Sequence, residues 1–219
     1  MKHLSLILII LILSCCPLHP AYAFFDKDIR LLTMRDGLAD NTIPCIYKDE
    51  DGFMWFGTDN GLSRYDGKTI QNFKPANTYV SIAAIVRLSD DFLGIVSDGY
   101  LYYFNRKRET FLPIHTESDT AIGVFNVLPA DDSSFWGISG NRLILCQWEI
   151  QQGKEEEKTA VRVRIQKTFQ LLEEKGEVFS SLCYHEKAGS GIWLTTNRGN
   201  LILFHPDTPG AYQKIPLTD

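Results

Sequence analysis

The chain has 219 residues, 44% of them hydrophobic and 22% charged, with a formal net charge of −5 at pH 7. This mild acidity excludes nucleic acid as a partner, since that would call for a basic face, and the length is enough to bury one core.

Residues 1–23 read as a signal peptide. Lys2 supplies the positive end, Leu4 to Leu13 is apolar except for Ser5, and Ala21-Tyr22-Ala23 is a small-x-small cleavage site. The apolar run is too short to span a bilayer comfortably. A second reading is lipidation, because Leu13-Ser14-Cys15 resembles an acylation box. Cleavage after Ala23 places residues 24–219 in the periplasm, with no membrane span in the mature chain. Of the 22 basic and 27 acidic residues, only Lys2 is lost with the leader. Cys45, Cys146 and Cys183 remain, too widely spaced for a disulfide framework or a metal site, and are expected as free thiols. Cys45 and Cys183 each lie ten residues before a tryptophan, and so are expected at equivalent places.

The expected elements begin with an extra N-terminal strand, 29–34. Asp49 to Gly67 then reads DEDGFMWFGTDNGLSRYDG. Asp51-Gly52 turns the chain, Phe53 to Thr58 is a strand, Asn60-Gly61 has the composition of a type I′ hairpin turn, and Leu62 to Tyr65 returns. Weaker copies follow as FLGIVSDGYLYYF, FWGISGNRLILCQW and GIWLTTNRGNLILF. Aligned on Trp55 and Gly61, they place Leu93, Trp136 and Trp193 at the tryptophan position, with Gly99, Gly140 and Gly199 near the turn. Such a period is that of propeller blades. An apolar strand before and after each hairpin completes four strands per unit, in spans 41–74, 80–115, 122–170 and 177–217. The expected fold is all-β: a β-propeller, or partial propeller, of about four blades of four antiparallel strands. Gly153 to Thr159 reads as the solvated tip of a lengthened hairpin. Unrelated hairpins of a β-sandwich are the competing arrangement.

Leu31 to Ile43, with Ile46, Asp49, Gly52, Trp55, Phe56, Gly57, Thr58, Gly61, Leu62 and Arg64 to Gly67, resembles the two-component regulator propeller repeat. The likeness is dense over 31–73 and sparse afterwards. It implies the periplasmic sensor of a bacterial hybrid two-component system, in which about seven blades form each of two propellers ahead of a membrane span and a histidine kinase. Remaining sensor domains or a homodimer would be the partners, and the chain itself, without kinase motifs, is expected not to be an enzyme. In this family the N-terminal strand usually completes the last blade. Here 211–217 already fills that place, which suggests a truncated or split sensor and leaves closure of the ring open.

Asp49, Gly52, Trp55, Gly57, Thr58, Gly61, Tyr65, Trp136, Trp193 and Gly199 read as structural repeat residues. No catalytic or metal residues are expected, and no cofactor. Asp59, Asn60, Asn77, Tyr79, Asn141, Asn197 and Arg198 lie in loops of the kind that line a sugar site, so the expected ligand is a glycan or oligosaccharide. His115, His185 and His205 have no ligand or triad spacing. The alternatives are a free-standing periplasmic carbohydrate- or protein-binding propeller and, further off, a propeller polysaccharide lyase or glycosidase with paired carboxylates at its funnel.

Overall fold

The computed structural model describes residues 29–74, 80–116, 122–151, 160–185, 191–208 and 212–216. Two units divide the chain, Met1–Leu32 and Thr33–Asp219, and the second holds every strand described below. The first sheet is β1 (Cys45–Lys48), β2 (Met54–Thr58), β3 (Gly61–Tyr65) and β4 (Ile70–Phe73). β5 (Ile82–Arg87), β6 (Phe92–Ser97), β7 (Tyr100–Asn105) and β8 (Thr110–Pro113) make the second. In the third, β10 (Asn126–Asp131), β11 (Ser134–Ser139), β12 (Arg142–Gln151) and β13 (Ala160–Gln170) are joined at the outer edge by β9 (His115–Thr116). The fourth holds β14 (Phe179–Tyr184), β15 (Ile192–Thr196), β16 (Asn200–Phe204) and β17 (Tyr212–Pro216). Each is an antiparallel meander in chain order apart from the parallel β9, so the protein is an all-β propeller of four blades.

Alternation along each strand sends one set of side chains to the blade before and the other to the blade after. Three apolar clusters fill the three interfaces. Trp55, Leu62 and Phe73 meet Ile82, Leu93, Ile95 and Phe104 between blades one and two. Val86, Leu88, Phe92 and Tyr103 meet Val127, Phe135, Cys146 and Trp148 between blades two and three. Trp136, Ile138 and Leu143 meet Ile192, Leu194, Ile202 and Phe204 between blades three and four. The innermost strands neighbour one another as β1 to β5, β5 to β10 and β10 to β14. Packing of that extent does not join β14 to β1 among the described residues, so the four blades form an open arc.

Two interfaces repeat the same aromatic triad. Trp55 lies 6.0 Å from Phe73 and 5.7 Å from Phe104, and Trp136 lies 5.9 Å from both Phe169 and Phe204, between ring centroids. In each case the tryptophan and first phenylalanine belong to one blade and the second phenylalanine to the third strand of the next. The middle interface is built differently. The position matching Trp55, counted back from the hairpin turn, is Gly94, and the one matching Phe104 is Cys146. Trp148, near the far end of β12, fills in: its ring stacks on Phe135 at 5.7 Å and its Nε1 donates to Leu88 O at 3.1 Å.

Several expectations are corrected here. Leu93 does not stand for the tryptophan; it points back toward blade one. The six-residue count failed because blade two turns on Asp98-Gly99, both at positive φ (50° and 79°), whereas in blade one Asp59-Asn60 form the turn and Gly61 follows at φ 110°. Asn60 does not have positive φ, so Asn60-Gly61 is not a type I′ turn; the loop is Asp59-Asn60, and Gly61 opens β3 opposite Thr58. Cys45 pairs with Gly57 while Cys183 pairs with Trp193, so the two cysteines are not equivalent. The extra strand at 29–34 is absent. Residues 29–33 carry no regular structure, and Thr33 caps a 3-10 turn over Met34–Asp36. Thr33 N donates to Asp36 Oδ2 at 2.9 Å, the reciprocal bond of a capping box, and Gly37 closes the turn at φ 112°.

Candidate functional site

The hairpin turns between the second and third strands of each blade lie on one face of the arc with the connectors between blades. Backbone bonds sew each turn to the entry of the next blade: Gly61 N to Val80 O (2.8 Å), Val124 N to Gly99 O (2.7 Å) and Phe179 N to Gly140 O (3.2 Å). This seam occupies most of the residues expected to meet a ligand. Asp59 Oδ1 accepts from Ser81 Oγ (2.8 Å), and Asn60 Nδ2 donates to Ala39 O (3.3 Å). Asn197 Oδ1 accepts from Val178 N (3.0 Å), and its Nδ2 donates to Gly176 O (3.2 Å). Arg198 bonds Glu174 (2.6 Å) and Lys175 O (2.7 Å). Asn141 follows Gly140 in the third turn, so the Asn141 and Asn197 turns flank the same Val178-Phe179 entry. Asn77 and Tyr79 lie outside the described residues.

Beneath the fourth turn sits a buried carboxylate that sequence reading missed. Glu177 accepts from Thr196 Oγ1 (2.9 Å), Asn200 Nδ2 (2.6 Å) and Lys214 Nζ (3.1 Å). Burial pushes its carboxyl up, but the bonds from Asn200, Thr196 and Lys214 outweigh that and hold it below the usual value.

The opposite face carries the loops between first and second strands, and here the repeat acids do structural work. Asp49 Oδ1 accepts from Phe53 N (2.8 Å), and its Oδ2 accepts from Trp55 Nε1 (2.7 Å) and from Arg106 Nη2 of the second blade (2.9 Å). Arg106 also reaches Asp51 (2.5 Å). In blade four, His185 takes the role of Asp49: its Nδ1 accepts from Trp193 Nε1 at 2.7 Å. Thr58 Oγ1 donates to Gly61 O (2.8 Å), Tyr65 Oη to Gly67 O (2.6 Å), and Gly52 stands in the turn at φ 88°.

Two clefts open between blades on this face. One, of about 220 Å³, lies between blades one and two and is filled with the charges of Asp49, Glu50, Asp51, Arg87, Asp90 and Arg106. The other, of about 250 Å³, lies between blades three and four and mixes apolar with polar walls. Tyr184 and Trp136 give it aromatic surface; Asp131, Ser134, Gln166, Lys167 and Asp207 give it donors and acceptors. Tyr184 Oη donates to Pro129 O, which fixes the ring, and burial with the nearby Asp131 charge raises its pKa. Asp131 accepts from Ser134 Oγ (2.5 Å) and Ser133 N (2.8 Å), and these bonds hold its carboxyl below the usual range. An ionised carboxylate, an amide, an ammonium group and an aromatic face around one cavity suit hydrogen bonding and ring stacking to a polyhydroxylated ligand. None of these cleft residues was singled out from the sequence as ligand-binding. The signal was obscured because the wall comes from six strands and two loops of two blades.

Among the described residues no group of three or more His, Cys, Asp or Glu is placed to hold a metal ion, and no helix is long and apolar enough to cross a membrane.

Residues 37–60 match the family described as two component regulator propeller. They span the first connector, β1, β2 and the turn after it. Among solved structures, the chain is similar to the extracellular domain of a putative one component system from B. thetaiotaomicron, at 17% identity and TM-score 0.50, over 79% of this chain and 28% of that one. It is also similar to the extracellular domain of a putative hybrid two component system of the same organism, at 15% identity and TM-score 0.52, over 84% of this chain and 31% of that one. The WD40 β-propeller domain of Doa1 matches at 12% identity and TM-score 0.52, over 80% of this chain and 53% of that one. No curated protein matches the chain. These likenesses establish the propeller fold, and the chain spans less than a third of the length of the two bacterial extracellular domains.

Proposed function

We propose that this chain, which carries a two-component regulator propeller repeat in the first of its four blades, is an exported input module that binds an oligosaccharide for a sensor of the two-component type. The observation that carries the ligand class is the cleft between blades three and four, where Tyr184 and Trp136 stand beside Asp131, Gln166, Lys167 and Asp207. A sugar ring there would stack on Tyr184 and exchange hydrogen bonds with the amide and the carboxylates. Because the cleft is walled by two blades, a bound ligand would favour one spacing between them, and a sensor needs such a difference between states to shift its output.

Calorimetric titration of residues 24–219 against a panel of defined oligosaccharides tests this reading. Tyr184→Ala and Gln166→Ala should each weaken the best ligand at least tenfold, and the exposed Gln166→Ala should leave the melting profile nearly intact. Binding unchanged in both variants, or no binding across neutral and acidic glycans, overturns it. Export is tested by cell fractionation and N-terminal sequencing, with the mature chain expected to begin at Phe24.

A further inference from the structure

The chain has four tryptophans, and three of their indole N–H groups have partners: Trp55 in Asp49, Trp148 in Leu88 O and Trp193 in His185. Trp136 is the exception. It is 6% exposed, it packs against the rings of Phe169 and Phe204, and its Nε1 has no hydrogen-bond partner among the described residues. Leaving a buried donor unpaired costs stability, so such a group is rare unless something outside the chain satisfies it.

The strand registers show which groups are missing. Trp55 pairs with Tyr47, Trp136 with Leu128 and Trp193 with Cys183. Two residues beyond those partners stand Asp49, Ala130 and His185. Blades one and four thus bring an acceptor to the indole, and blade three brings a methyl group. The following blade loses its part as well. Phe104 and Phe204 are equivalent, and two residues past them stand Arg106, which bonds Asp49 at 2.9 Å, and Pro206, which has no side-chain donor. The cleft of about 250 Å³ between blades three and four opens at this place, and Ala130, Trp136 and Pro206 are in its wall. Trp136 also keeps the packing of Trp55. Its ring lies 5.9 Å and 72° from the phenylalanine of the following blade, where Trp55 has 5.7 Å and 66°, so its Nε1 faces the Ala130 position as that of Trp55 faces Asp49.

We propose that Trp136 Nε1–H is a ligand-binding group, donating to the carbonyl oxygen of an acetamido substituent on the bound sugar, with that oxygen standing where the Asp49 carboxylate stands in blade one. The proposal rests on the oligosaccharide reading of the cleft and narrows it to N-acetylated sugars. Ala130, Leu145 and Ile192 give the acetamido methyl an apolar wall. A protonated sugar amine would set donor against donor at Trp136. A uronate would bring a third carboxylate beside Asp131 and Asp207, with Lys167 alone to balance them.

In isotope-labelled protein, nuclear magnetic resonance gives one indole N–H signal per tryptophan, and the Trp136 signal is the one lost in Trp136→Phe. The probes are N,N′-diacetylchitobiose, chitobiose and cellobiose, which carry acetamido, amino and hydroxyl groups on the same ring skeleton. The first is expected to bind at least tenfold more tightly than the others and to move the Trp136 signal downfield. Trp136→Phe should erase that preference. Ala130→Asp gives blade three the acceptor of blade one, so it should move the signal without ligand and weaken diacetylchitobiose at least tenfold; it decides the matter if Trp136→Phe does not fold. Acetamide separates this proposal from the reading it rests on: a Trp136 signal moved by acetamide and by no saccharide keeps the donor assignment and removes the sugar. Saccharide binding that leaves the signal unmoved, or equal affinity for all three disaccharides, overturns the proposal and keeps the oligosaccharide reading. A signal indifferent to all four probes, with no saccharide bound, overturns both.

Discussion

Asp49 shows how much of this protein depends on single polar atoms placed between blades. Its carboxylate is almost wholly buried and holds a backbone amide, the Trp55 indole and an arginine of the next blade together. Asp49→Ala would leave the Phe53 amide and the Trp55 indole unpaired and Arg106 with only Asp51 and the Asp90 carbonyl, and breaking a buried ionic bond of this kind costs about 3 kcal/mol; urea denaturation should show the loss. The thiols sort by the same criterion. Burial pushes Cys45 up to about 11 and Cys146 up to about 12, while Cys183 is exposed. In a chain of residues 24–219, a disulfide reagent at pH 8 should therefore label one thiol at once and the other two only on unfolding. The sequence marked Asp49 as a structural repeat residue but not as a partner of Trp55, because the bond spans six residues and exists only once the loop has folded back. His185 was harder still: it does the same work eight residues from its tryptophan, with a different functional group.

A blade is legible in sequence when its turn is. The loop is Asp59-Asn60 in blade one and Asn197-Arg198-Gly199 in blade four, but in both the left-handed glycine stands six residues after the tryptophan, so the count found the right position there. Blade two has its glycine inside the turn, at Gly99, instead of just after it, and the count slipped by one residue, which in a strand exchanges the two faces. The aromatic triads explain why tryptophan recurs where it does. Trp136→Ala should cost about 3 to 5 kcal/mol, the range for truncating a buried large aromatic, read from the thermal and urea midpoints. Gly57 has a different reason: a Cβ there would lie 2.9 Å from Ile82 O and 2.7 Å from Ile82 Cγ2 of the next blade. The long β12–β13 hairpin was visible as an alternating strand after a charge run. Its role as a strap across blades two and three, with β9 added in parallel, depends on pairing between distant segments and left no local pattern.

Across the whole molecule, the three interfaces are not alike. The outer two rest on aromatic triads, and the middle one rests on the strap that brings Trp148 over Leu88. Replacing residues 148–163 by a short turn should therefore weaken the joint between blades two and three, and calorimetry should resolve two melting transitions where the intact chain shows one. Glu177 ties the last connector to blade four and makes that end sensitive to acid. Its folded pKa lies below the unfolded value of about 4.3, so its contribution is complete above that pH and is lost as the pH falls through the folded value. The difference in urea midpoint between wild type and Glu177→Gln should be largest near neutrality and shrink at acidic pH.

The seam of turn-to-entry bonds also gives the chain a direction. At each of the three joints, the hairpin turn of one blade precedes in the chain the residues it will bond, and so leaves the ribosome before them. Blade one can thus present Gly61, and blade two Gly99, as a waiting template, and each arriving strand finds its register on a neighbour already in place. A circular permutant that starts at blade three would lose that order of arrival at one joint, and its refolding in dilute solution should be unaffected while its yield of folded protein on synthesis falls.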